Sequence, residues 1–117
     1  MANANSAGVN DDLNQLHGTL IALNQQLSDS LDSITDPALA RAVVTEMREV
    51  VHRIDLVQSL LFAKASKKIS DAVAKVEAAN GEISASLGQI KSVTGVVKAV
   101  SGILTLVDKA MDLAKLV

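Results

Sequence analysis

Few side chains in this 117-residue chain come in groupings that could do chemistry. Glu49 and His52 form a Glu-x-x-His pair, which sets a carboxylate and an imidazole one helical turn apart. Bundles that hold two iron ions use this spacing twice. Here it occurs once, because the other histidine, His17, has Asn14 three residues before it. The plainer account is a surface His52 paired with Glu49 or Asp55, each three positions away. There is no cysteine for thiolate ligation or a disulfide. No Gly-rich strand-to-helix loop, nucleophile motif or zinc spacing is present. The sequence therefore gives no catalytic residue, no metal ligand and no cofactor, and it reads as a non-enzyme without a small-molecule substrate.

Lys64, Lys67 and Lys68 are the one dense basic cluster. With Lys91 and Lys98 they are candidate contacts for an anionic surface; the plainer account is a solvated bend between helices. Charge is divided along the chain. Residues 1–62 carry eight acids against Arg41, Arg48 and Arg53, a balance of −5, and residues 63–117 carry eight lysines against five acids, a balance of +3. Opposite halves of this kind attract each other within a bundle or between copies. A net charge of −2 argues against nucleic-acid binding.

The elements that carry these residues read as helices. Met1–Val9 is small and polar, a flexible tail before one helical-bundle domain at 10–117. Asn10 can cap a helix whose first turn holds Asp11 and Asp12. Leu13, Leu16, Leu20, Leu23 and Leu27 then alternate by three and four, the seam of a coiled-coil-like helix over 10–33. Asp36-Pro37 restarts the chain as an antiparallel neighbour, with Val43, Met47, Val50, Ile54, Val57 and Leu61 as its seam. From Leu61 to Ile69 the seam slips by one residue. A short turn capped by Ser66 would explain the slip; without Gly or Pro nearby, a continuous or bent helix is the favoured reading.

From Ile69 one register runs to Ala114. It crosses Asn80-Gly81, ordinarily a turn signal. A turn there gives an all-α antiparallel bundle of three long helices, near 10–33, 38–79 and 82–116. Without it, one helix of about 50 residues, roughly 75 Å long, would need other copies to cover it. The compact form is favoured.

That segment carries a second pattern. Ala74, Ala78, Gly81, Ala85, Gly88, Ser92, Gly95, Ala99 and Gly102 recur by fours and threes, a stripe of small residues on one helix face. The reading is a close-packed helix seam beside an apolar face of Val93, Val97, Val100, Leu104 and Val107. The plainer account is an alanine-rich solvated edge. On the first reading, Gly88→Leu and Gly95→Leu disturb packing or assembly.

The function expected is helical assembly, with copies of the chain or with a helical protein partner. The alternative is an amphitropic protein that binds an anionic membrane or another apolar surface through its Lys-rich C-terminal half. In composition, though in no matched motif, the chain resembles granule-coat proteins and small helical pore-forming components. The first residues have no basic n-region and no apolar core of a signal peptide, and the longest uncharged apolar run, 99–107, is too short to span a bilayer. A soluble, cytoplasmic protein is expected, with export by a route without a leader left open.

Overall fold

The computed structural model describes residues 8–116, so most of the tail expected at 1–9 lies outside the described residues. It is all-helical and holds four helices rather than three: α1 (Asp11–Ser30), α2 (Pro37–Gln58), α3 (Lys67–Ser86) and α4 (Val93–Lys115). Each opens on a side-chain cap, the device that satisfies a helix's free N–H groups. Asn10 Oδ1 accepts from Leu13 N at 3.1 Å, and Asp36 Oδ1 from Ala38 N at 3.0 Å. Ser66 Oγ accepts from Ile69 N at 3.2 Å, and Ser92 Oγ from Gly95 N at 3.0 Å.

Two expectations are corrected. The chain does not run on as a helix through 62–68; it breaks after Gln58 and restarts at the Ser66 cap, which accounts for the slip between Leu61 and Ile69. Nor does it turn at Asn80-Gly81, which lie inside α3. Val76 and Ile83, on either side of the pair, are buried, and their packing overrides the local turn preference. The turn comes later, where Leu87–Gln89 tightens to a 3-10 turn and Ile90 goes extended before Ser92 caps α4.

The α1–α2 and α3–α4 pairs are antiparallel hairpins lying side by side, with α1 also against α3 and α2 also against α4. The segment between α2 and α3 crosses the bundle on a diagonal, so α1 and α3 run the same way. Asn10 ties this end together. Its N–H donates to Leu61 O at 2.7 Å and its Nδ2 to Ala63 O at 3.2 Å, so the residue that caps α1 also holds the crossing segment.

The two hairpins follow one local plan. Their caps fall at equivalent places, Asn10 and Asp36 in the first, Ser66 and Ser92 in the second. Their turns repeat as well: Leu31–Ser33 then extended Ile34, Leu87–Gln89 then extended Ile90. Residues agree around the same places, with Ala22, Asn24, Ser28, Ser30, Leu31 and Ile34 matching Ala78, Asn80, Ser84, Ser86, Leu87 and Ile90. Asn24 and Asn80 even share a buried Oδ1 with no hydrogen-bond partner.

Since Gly81 is helical and a Cβ there meets nothing within 4 Å, Gly81→Ala is expected to stabilise the fold by about 1 kcal/mol. Urea unfolding followed by circular dichroism measures this. A turn at Asn80-Gly81 would give a loss instead.

Candidate interaction faces and the polar seam

The expected site residues fall into two groups. Val100, Leu104 and Val107 belong to the core, at 0–5% exposure, and are used up inside the fold. Val93 and Val97 remain exposed on α4. The small-residue stripe lies outside the core: Ala74, Ala78, Gly81 and Ala85 are exposed on α3, Ala99 is half-buried on α4 and Gly102 is exposed there. Between them the stripe passes through the turn, where Gly88 is exposed in the 3-10 segment. Ser92 and Gly95 there are the two ends of a cap hydrogen bond. Within one chain the stripe is not a packed seam. A Cβ on Gly88 or Gly102 meets nothing within 4 Å, whereas one on Gly95 comes within 3.0 Å of Ile90 Cγ2 and Ser92 Oγ.

Two of its residues, Ala99 and Gly102, line a groove between α3 and α4. One stretch is lined by Ala79, Glu82, Ile83, Ser86, Ala99, Gly102, Ile103 and Leu106. The next shares Leu106 and has Ala72 and Leu113 on its floor, with Lys68, Asp71, Lys75 and Lys109 around its rim. Small side chains leave this trough shallow and open. Of the lysine cluster, Lys68 stands at this rim, Lys67 pairs with Asp71 at 3.0 Å, and Lys64 is exposed before α3 begins. Lys91 lines a separate notch where the two hairpin turns meet, and Lys98 is exposed on α4.

Sequence reasoning missed the polar seam between α2 and α4. Arg53 grips Asp108 with two bonds, Nε to Oδ1 at 3.1 Å and Nη2 to Oδ2 at 3.2 Å, and its Nη1 pairs with Glu49. Glu49 is therefore turned to Arg53 and not to His52, which is exposed. Among the described residues no three His, Cys, Asp or Glu side chains converge as metal ligands. The signal was present in part: Glu49 and Arg53 are one turn apart, but Asp108 could not be assigned to them before the bundle's neighbours were known.

Glu46 lies beside this α2–α4 pair and is buried, where the expected seam places its neighbour Met47, which is only half-buried. Burial raises the pKa of its carboxyl, nearby Glu49 adds to the rise, and Arg53 opposes it. A raised folded-state pKa means that the ionised carboxylate weighs against folding at neutral pH. That penalty fades as pH falls through the folded value toward the usual 4.5. On the opposite flank of α2, Val44 and Val51 are exposed, as is Ile21 on α1.

Comparison with known protein families, curated proteins and solved structures finds no match. Whatever the chain does has to be argued from these faces.

Glu46→Gln is expected to stabilise the protein near neutral pH, with the gain shrinking as pH drops and gone once both folded and unfolded carboxyls are protonated. Paired denaturation curves across that window test it; an equal gain at every pH would assign the effect to packing.

Proposed function

We propose that the chain is a non-enzymatic assembly protein that joins copies of itself, or a helical partner, through the faces its bundle leaves open. The observation that carries this reading is the α3–α4 groove. It is a long apolar floor bordered by Ala, Gly and Ser on a molecule whose core is already filled. Small residues let a second helix approach closely, and half-buried Leu106 and Leu113 give it apolar surface to cover. Exposed Val93 and Val97 on α4, and Ile21, Val44 and Val51 on the other hairpin, are further apolar surface of the same kind. On this reading the protein works in water, in the cytoplasm, as an oligomer with coiled-coil-like helix contacts. Among the described residues no helix is long and apolar enough to cross a membrane.

A second reading has one observation in its favour. Lys68, Lys75 and Lys109 surround an apolar notch, an arrangement suited to an anionic lipid surface. Flotation with phosphatidylglycerol vesicles separates the two readings, since an assembly protein stays with the unbound fraction.

Sedimentation velocity over a wide concentration range tests assembly directly. Larger species are expected as concentration rises, and a strictly monomeric chain would overturn the reading. Gly102→Leu sharpens the test. A Cβ there meets nothing within 4 Å in one copy, and Gly102 is exposed, so the fold is expected to persist while association weakens.

A further inference from the structure

The repeated hairpin indicates what the open groove takes. In α1 the positions equivalent to Ala72, Ala79 and Ile83 are Leu16, Leu23 and Leu27, each at 0% exposure. Besides its partner α2, α1 has a second hairpin against it, through α3. In α3 the same positions, Ala72 at 7%, Ile83 at 4% and half-buried Ala79, border a groove that no described element covers. Stacked helical repeats bury their faces against successive neighbours, and the last unit of such a row ends on an uncovered side.

We propose that this groove is the docking site for the α1–α2 hairpin of a second copy of the chain, so that copies stack in a row. The proposal rests on the self-association reading and names the two faces that meet. Charge supports the choice of partner. All eight lysines lie in residues 64–115 and all are exposed, while the first hairpin has none and carries the −5 balance. A copy therefore presents a first hairpin of net negative charge on one side and, on the other, a groove whose lysines Lys68, Lys75 and Lys109 outnumber its carboxylates Asp71 and Glu82. The first hairpin also brings apolar side chains to cover the groove floor. Val44 and Val51 lie on the flank of α2 away from Glu46, Glu49 and Arg53, which face α4. Arg41 and Arg48 stand beside Val44, so the negative balance belongs to the hairpin as a whole and not to this flank. The two faces are different, so the contact is heterologous and repeats from copy to copy instead of closing as a two-fold pair.

Sedimentation velocity on the full chain and two double variants tests this mode, with circular dichroism confirming that each variant remains helical. The wild type is expected to grow beyond dimers with concentration and to fall back in high salt, since screening weakens exposed charge contacts. Lys75→Glu with Lys109→Glu makes both faces acidic; Asp29→Lys with Asp55→Lys shifts the first hairpin toward basic. Each double variant is expected to weaken association by about tenfold or more, and an equimolar mixture of the two to restore it. A chain that associates but ignores both reversals overturns this docking mode and leaves self-association standing. A closed dimer at every concentration does the same. A chain that is monomeric throughout, whether or not it floats with phosphatidylglycerol vesicles, overturns both.

Discussion

Five leucines on α1, all at zero exposure, anchor the fold. Leu13, Leu16, Leu20, Leu23 and Leu27 supply the largest buried side chains, and full burial of each is worth about 1.5–3 kcal/mol. With Phe62 as the one aromatic residue, and that residue exposed, no larger side chain is available to fill the centre. The partners opposite mix smaller side chains, Val43, Val50 and Val57 on α2, Val76 on α3 and Val100 and Val107 on α4, with Leu39, Ile69, Ile83, Ile103, Leu104 and Met111 of similar size. A core of this kind closes only if all four helices come together around the leucines. The hairpins therefore pack on each other, α1 against α3 and α2 against α4.

The helix starts of the first hairpin were legible in the sequence because each signal there is local, whereas the end of α2 at Gln58, expected to run on to 79, was not. Asn10, the leucine spacing and Asp36-Pro37 each act within one turn of chain, and the helices begin where those residues place them. The second hairpin was not, because its signals conflict. Asn80-Gly81 looks like a turn, yet the buried neighbours Val76 and Ile83 hold it in helix. The true turn has no proline and keeps the heptad phase from Ile83 to Ile90, so it left no break in the pattern. Comparison of Leu31-Asp32-Ser33-Ile34 with Leu87-Gly88-Gln89-Ile90 would have found it, since the first of these already precedes a recognised cap.

The stripe shows the same difficulty at the level of the site. Its regular spacing is real, but spacing on a helical wheel has meaning only while the helix continues, and this one stops at Ser86. Gly88, Ser92 and Gly95 serve a turn and its cap, whereas Ala78, Ala85, Ala99 and Gly102 belong to helix surfaces. The Arg53–Asp108 contact was illegible for another reason: it joins helices whose adjacency depends on the diagonal crossing.

The pairing of α1 with α2 and of α3 with α4 has a consequence for how the chain reaches its fold. Each hairpin joins helices that follow one another after a short turn, so closing it costs little loop entropy. Only the docking of hairpin on hairpin requires contacts distant in sequence, and topologies rich in local contacts fold fast. During synthesis α1 and α2 emerge first and can pair alone, their leucine and valine faces waiting for the second half. The Asn10 bonds to Leu61 and Ala63 act as a clasp, fixing where the chain leaves the first hairpin.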